Sequence, residues 1–559
     1  MDISSRDALQ NRLAILHREA EEREAERIAR QNKLPYVNLD KTAITIEAVK
    51  LLSESEARGA FVVAIELKVH EVALAVADPT LPQVQHVIEA LAAHKYLVKV
   101  FVSSRRGIEQ AWRFYRFVTP EAQKITGKIT IEEKQLQSLT ARLTSFGAVT
   151  EEIKKFDFST LSTTEILLDI VLAGALANHA SDVHFEAEEK DARIRFRLDG
   201  LLHDVFTNLP LRNYASIISR IKLLSELKLN VRDEAQDGRF TINLSRREVE
   251  VRISIIPAEF GETIVMRLLD PNALKTNLID LGLRADDLAL VENQLARPNG
   301  LLLNTGPTGS GKTTTLYTFL RRINEPEIKI ITIEDPIEYR LPGVDQTQVN
   351  PEAHYTFASG LRSIVRQDPD VILVGEIRDL ETAEIAMQSA LTGHLVFSTL
   401  HTNDAIGAVP RLLELGIKPM IIGPSLNLVI AQRLVRILCK DCKRPAELSL
   451  GLETKLKNFL EKLPQRVDRG AYKNPTIFEP VGCDKCNHFG YKGRVGVFEF
   501  FEAGPEFQEL LLKEVSETGL FALARKQGMV TMQEDGVLKA ISGVTTLAEV
   551  EDITGKIEW

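Results

Sequence analysis

Residues 306–314, GPTGSGKTT, carry the densest chemistry in this sequence. Gly306, Gly311, Lys312 and Thr313 satisfy the pattern GxxxxGK[ST], and Pro307, Thr308, Gly309, Ser310 and Thr314 complete the stretch. The chemistry such a loop serves is phosphate binding. Its glycines let successive backbone N–H groups converge on phosphate oxygens at a helix N-terminus. Lys312 would reach the β- and γ-phosphates, and the Thr313 hydroxyl would ligate Mg²⁺. ATP and Mg²⁺ are therefore the expected ligands. The context fits, with the apolar Leu301–Leu303 before the loop and a helix-forming segment after it.

Hydrolysis needs more than binding: a group that orients or deprotonates water, and charge that stabilises the transition state. Two acidic segments follow apolar, strand-like runs. IKIITIEDPIEYR (328–340) supplies Glu334, Asp335 and Glu338, and VILVGEIRD (371–379) supplies Glu376. Carboxylates at strand C-termini lie beside the phosphate loop in a parallel α/β sheet. One acidic strand end would read as loop solvation, whereas two downstream of a phosphate loop read as site residues. In the second, Gly375 stands where an aspartate that steadies Mg²⁺ is the usual residue.

The four cysteines form a second group, Cys439, Cys442, Cys483 and Cys486, spaced CxxC–x₄₀–CxxC. Two-residue spacers make each pair a chelating knuckle, and four thiolates close a tetrahedral zinc site with no position for water. Such a site is structural. The alternative is four reduced, unligated thiols. The 40 residues between the pairs include SLGLETKLKNFLEKL, which reads as helical.

These residues need elements to hold them. At 559 residues the chain exceeds one hydrophobic core. Residues 1–117 read as an N-terminal α/β domain with a leading charged helix, and 118–160 as a linker. A second domain spans 161–272. In DARIRFRLDG, Ile194, Phe196 and Leu198 share one strand face and Arg193, Arg195 and Arg197 the other. That arginine face is either an exposed strand surface or a cationic one turned to a phosphate or a neighbouring subunit. A connector at 273–285 leads to the phosphate-binding core at 286–438, whose strand–loop–helix–strand rhythm predicts a parallel α/β sheet. The tetracysteine module spans 439–496, and 497–559 reads as helical.

Composition sets the limits. With 44% hydrophobic and 26% charged residues the chain is globular. Its 69 basic and 78 acidic residues give a net charge of −9, which argues against non-specific nucleic-acid binding. No window approaches a membrane-spanning run, and the N-terminus lacks the order of a signal peptide. A cytoplasmic protein that reaches membranes through partners is expected.

At this point the chain resembles the GspE/PilB family of secretion ATPases, the cytoplasmic hexameric motors of type II secretion and type IV pilus assembly. GPTGSGKTT (306–314) matches the family's Walker A, TIEDPIEY (332–339) its aspartate box, LRSIVRQDPDVILVGEIRD (361–379) its Walker B region and TGHLVFSTLHTND (392–404) its histidine box. AQRLVRILC (431–439) leads into the cysteines, and SDVHFE, RFRLDG, QDGRF and GETIVMRLLD look like the family's second N-terminal domain. The resemblance implies an α/β architecture: a RecA-like P-loop ATPase domain, a preceding PAS-like domain, a tetracysteine zinc module and an N-terminal docking domain.

It also implies that Gly375 is normal, since the family carries Gly–Glu in this strand. Glu376 then orders the attacking water or water at the metal, with Glu338 or Glu334 as the other candidate for polarising the nucleophile. His394 and His401 would sense the γ-phosphate side or couple it to a neighbour, a structural role being the plain alternative. Arg252, Arg267, Arg362 and Arg366 match family arginines that complete the site across subunits of a homo-hexamer, and the alternative for each is a salt bridge. The N-terminal domain would dock to an inner-membrane platform protein. Relatives that bind cyclic di-GMP there carry an RLG-type repeat, in whose place residues 1–31 offer a Glu/Arg-rich helix. The competing readings are a conjugation or DNA-translocating ATPase of the same superfamily, a non-catalytic nucleotide-binding scaffold, and a pilus retraction ATPase.

Overall fold

The computed structural model describes residues 20–42, 44–68, 70–117, 128–129, 138–140, 142–158, 163–244, 247–272, 277–473, 475–513 and 516–559. The chain divides between Leu268 and Leu269 into two compact units. Residues 1–19 of the expected leading helix lie outside the described residues, and 20–31 are helical.

The first unit contains two sheets. Strands Val62–Lys68, Glu71–Val76 and Leu97–Val102 form the smaller one. Its apolar face is covered by helices such as Pro82–Ala93, and the buried Trp112 donates its indole N–H to the Val62 carbonyl at 3.0 Å. The second sheet has seven strands, from Lys128–Ile129 to Leu201–Pro210. Where described, the expected linker 118–160 is part of this fold. Lys128–Ile129 is an edge strand, and helix Phe146–Lys154 buries Val149 and Ile153 completely. The sequence reads as loose there because only one narrow stripe of that short helix is apolar.

The arginine face of strand Asp191–Leu198 is partly buried and paired, not a bare exposed surface. Arg193 and Arg195 both contact Glu186 of the neighbouring strand, and Arg197 lies 3.4 Å from Asp182. Alternation identifies a face; it does not reveal what the next strand puts opposite it.

The second unit is built on a seven-stranded sheet: β1 (Gly300–Thr305), β2 (Ile330–Glu334), β3 (Asp345–Gln348), β4 (Val371–Val374), β5 (Leu395–Leu400), β6 (Leu426–Leu438) and β7 (Tyr491–Glu502). Their order is β3-β2-β4-β5-β1-β6-β7, parallel except for β7. Every residue of β1, β2, β4 and β5 is buried, as a parallel sheet sandwiched by helices requires. Alternate side chains feed two cores. Leu302, Leu373 and Phe397 meet Phe319 and Leu320 of helix Lys312–Ile323 on one face. Leu303, Val374 and Val396 meet Leu361, Ala383 and Met387 on the other.

β6 ends at Leu438 and β7 begins at Tyr491, so the cysteine module is inserted between the last two strands of this sheet. The expected helical tail from 497 therefore opens as strand. Its first six residues finish β7, and helices Pro505–Leu511, Glu517–Lys526, Met532–Ile541 and Leu547–Thr554 follow.

Candidate functional site

Parallel neighbouring strands bring their carboxyl ends into one row, and the order β2-β4-β5-β1-β6 sets the sequence along it. Glu334 ends β2, Gly375 and Glu376 follow β4, His401 follows β5, and the phosphate loop follows β1. The loop's cradle has the chemistry of an anion site. Gly306 has φ +152°, and a Cβ there would lie 2.6 Å from the Gln432 carbonyl oxygen and 2.7 Å from Ser310 Oγ. Only glycine fits. Among the described residues the buried Ser310 hydroxyl has no hydrogen-bond partner, a cost that an incoming phosphate oxygen would remove.

Lys312 opens helix Lys312–Ile323, and its ammonium donates to the carbonyls of Gly306 at 2.6 Å and Pro307 at 3.1 Å. Burial pushes its pKa down; the charge of Glu376 opposes this and Arg433 adds to it. Thr313 is exposed at the helix start, where its hydroxyl would hold Mg²⁺.

Glu376 is gripped on both sides. Arg378 contacts one carboxylate oxygen, and His401 Nε2 lies 3.2 Å from the other. Gly375 sits in a tight place: a Cβ there would come within 3.3 Å of both the Glu334 Cα and the Ile333 carbonyl oxygen. An aspartate at 375 would press against the backbone of β2, so the missing carboxylate matches the packing.

The two other glutamates differ from Glu376. Glu334 is buried and accepts from the Tyr317 hydroxyl, from Thr332 Oγ1 at 2.6 Å and from Gln346 Nε2 at 3.2 Å. Burial raises its pKa against those hydrogen bonds, and Glu338 adds to the rise. Glu334 thus faces Tyr317 of the phosphate-loop helix with its hydrogen-bonding capacity engaged. Glu338 is half-buried in the turn after β2.

His394 lies apart from this row. It precedes β5, donating through Nδ1–H to the Ser389 carbonyl at 2.9 Å, while His401 follows the strand. Six strand residues at roughly 3.3 Å each separate the two by about 20 Å, so only His401 belongs to the row. Arg362 pairs with Glu381, and Arg366 caps helix Phe357–Val365 with Nη2 3.3 Å from Ser363 Oγ. Arg252 and Arg267 lie in the first unit, where Arg252 Nε is 3.2 Å from Glu250 and Arg267 Nε 3.1 Å from Asp182.

Sequence reasoning missed Arg378, Gln432 and Arg433. Gln432 Oε1 accepts from Thr315 Oγ1 at 2.9 Å and Asn304 Nδ2 at 3.1 Å, joining β1, β6 and the loop helix. The available signal was two polar residues, Gln–Arg, inside the long apolar run of β6.

The cysteines converge in a separate place. Sγ–Sγ distances are 3.9 Å for Cys439–Cys483 and 3.8 Å for both Cys442–Cys486 and Cys483–Cys486, with all four sulfurs within 4.8 Å of one another. A tetrahedron with metal–sulfur bonds near 2.3 Å has edges of about 3.8 Å, so the four thiols fit one metal ion. Backbone N–H groups of Gly482, Cys483 and Gly490 point at sulfur at 3.2–3.3 Å. Burial opposes ionisation of Cys486, but the hydrogen bonds from Cys483 and Gly490 outweigh it and bring the thiol to about 7. Burial raises the thiol pKa values of Cys439 and Cys442 in the same cluster, so a bound metal ion would have to draw off those protons.

Phosphate loop, glutamate-bearing strand and neighbouring histidine together define a P-loop nucleotide-binding protein of the parallel α/β class. A family model described as type II/IV secretion system protein matches residues 158–552, and an MshEN domain model matches 32–116. The chain belongs to the type II/IV secretion system protein family. It is 45% identical over 390 residues to the type II secretion system ATPase E of Vibrio cholerae, covering 69% of this chain and 75% of that one. It is 36% identical over 525 residues to the type IV pilus assembly ATPase PilB of Myxococcus xanthus, covering 94% and 89%. Among solved structures, the ATPase DotB of Legionella pneumophila superposes with a TM-score of 0.50 at 22% identity, over 69% of this chain and 95% of that one, and shares the fold. Among the described residues, no helix is long and apolar enough to cross a membrane.

Proposed function

We propose that this protein is a cytoplasmic ATP hydrolase that works as a homo-hexamer to drive type IV pilus assembly or type II secretion through an inner-membrane platform protein. The observation that carries the reading is the position of Glu376, held between His401 and Arg378 with one strand, β5, between it and the strand of the phosphate loop. Magnesium held at Thr313 would neutralise phosphate charge. Gly306–Thr314 bind and orient the triphosphate, and Lys312 transfers its hydrogen bonds from loop carbonyls to phosphate. Glu376 accepts the proton of the attacking water, and His401 fixes the carboxylate that does so. Glu334, engaged with Tyr317, holds the loop helix against β2 and does not itself act on water; Glu338 tunes it.

Within the same reading, Arg252 and Arg267 exchange their carboxylate partners for phosphate of an adjacent subunit, where a supplied arginine is worth roughly 10³–10⁵ in rate. The cysteines hold structural zinc. The RecA-like core runs on through Tyr491–Glu502 around the inserted cysteine module, the PAS-like domain before it takes in Lys128–Ile129 and helix Phe146–Lys154, and the N-terminal docking domain precedes both. The match to the Myxococcus pilus assembly ATPase along 94% of the chain supports the pilus side of that pair.

The test is phosphate release per subunit measured against protein concentration, with assembly followed in parallel. Specific activity should climb as rings form and stay low for Arg267→Ala at every concentration. A specific activity that is flat from monomer to assembly would overturn the shared site.

A further inference from the structure

Five arginines of the second unit are partly buried: Arg284, Arg433, Arg436, Arg466 and Arg525. Four of them have carboxylate partners. Arg284 contacts Asp287 and Asp535, Arg436 contacts Glu549, Arg466 contacts Asp287 and Arg525 contacts Glu534, at 2.5–2.9 Å. Arg433 is the exception. Among the described residues no carboxylate lies within 4 Å of it, and its donors reach only neutral oxygens: the Gln432 carbonyl at 3.1 Å and the Asn403 carbonyl at 3.0 Å, with Asn403 Oδ1 at 3.5 Å. Burial depresses its pKa, and the charges of Asp404 and Glu499 offset this only in part.

A half-buried guanidinium without a counter-charge is costly unless an anion arrives. Its position says which anion. β6 runs parallel to β1 with Ala431 opposite Thr305, so Gln432 and Arg433 flank the loop just past the strand end. A Cβ on Gly306, the first glycine of the loop, would lie 3.1 Å from Arg433 Nη1. Arg433 is also close enough to Lys312 to lower the pKa of that ammonium. Two like charges so near one loop are stabilised together by a multiply charged anion, and a planar fork of N–H donors is suited to phosphate oxygens.

We propose that Arg433 is a phosphate ligand of the nucleotide site, supplied by the same chain as the phosphate loop and flanking it on the side of β1 away from Glu376. This rests on the nucleotide-binding reading above. It makes Arg433 a contact to substrate, and its bonds to Gln432 and Asn403 the resting arrangement it leaves on binding. Because the Asn403 carbonyl belongs to the loop that begins at His401, release of that bond would report phosphate occupancy to the histidine.

The test uses the full chain, titrated calorimetrically with MgADP and then with inorganic pyrophosphate, for wild type, Arg433→Ala and Arg433→Lys. The melting temperature is recorded without nucleotide. Wild type should bind both ligands. Arg433→Ala should bind both at least tenfold more weakly with its nucleotide-free melting temperature unchanged, and Arg433→Lys should recover part of the loss. Affinities within twofold of wild type would overturn the proposal. So would a loss for MgADP alone, which would mean a base or ribose contact, or a loss matched by a fall in melting temperature, which would mean a structural staple. Failure of wild type to bind either ligand would bring down the nucleotide reading itself, and this proposal with it.

Discussion

The carboxyl edge of the parallel sheet and the tetracysteine knot both gather ligand-type side chains, and they do so in opposite ways. The knot is closed: four sulfurs at tetrahedral spacing, steadied by backbone N–H groups, leave no position for substrate. The sheet edge is open and held in waiting. Lys312 rests on carbonyls, and among the described residues Ser310 Oγ has no hydrogen-bond partner and Arg433 no carboxylate within 4 Å, while Glu376 is balanced between a histidine and an arginine. A closed site serves stability and an open one serves turnover. The contrast separates a site where a metal would build the fold from one where the fold would act upon a nucleotide.

The sharpest way to break that contrast is to open the knot. Replacing Cys483 and Cys486 by serine should abolish stoichiometric zinc and unfold the module, because structural zinc contributes on the order of 10 kcal/mol at neutral pH. Metal analysis and hydrogen exchange across helix Leu450–Lys462 would read this, and full protection without metal would refute it. At the open site, His401→Ala removes one of the two groups holding Glu376. A charge-assisted hydrogen bond worth about 1.5–3 kcal/mol predicts a fall in kcat of roughly 10–100-fold, with nucleotide affinity nearly unchanged.

A third effect lies between the two regions. Glu499 on β7 is buried, and burial pushes its pKa up to about 7 against hydrogen bonds from the Ala405 and Met532 amides at 2.9 and 3.3 Å. A carboxyl with a raised folded-state pKa adds stability that is fully present below about 4.5 and is lost as pH rises through about 7. Relative to Glu499→Gln, the wild type should therefore lose about 3 kcal/mol between pH 4 and pH 8. Urea unfolding of both proteins across that range would show it, and a constant difference would contradict it. The smallest expected change is Tyr317→Phe, which deprives buried Glu334 of one donor and should cost about 1–3 kcal/mol of stability. An equal loss of kcat with no loss of stability would instead return Glu334 to the chemistry.

Much of the sheet edge was legible in sequence. The phosphate loop carries its own spacing, the cysteines are undiluted by others, and the apolar runs announce parallel strands. What stayed hidden depended on neighbours. Glu334 and Glu376 both end or follow apolar strands, and only the fold shows that Tyr317, Thr332 and Gln346 enclose one of them. His394 and His401 sit in one short motif, yet a strand carries them to opposite edges of the sheet. Arg433 lies in a hydrophobic run with Arg436 three residues on. Arg436 finds Glu549, while Arg433 has no carboxylate within 4 Å among the described residues, a difference made by a residue over 100 positions away.

The most direct test of the central claim sets MgATP binding beside phosphate release for the assembled wild type and for Glu376→Gln. The variant should bind MgATP within a few-fold of wild type and release phosphate at least about 100-fold more slowly. A variant that turns over at the wild-type rate would contradict the claim, because water would then be activated by some group other than the carboxylate between His401 and Arg378.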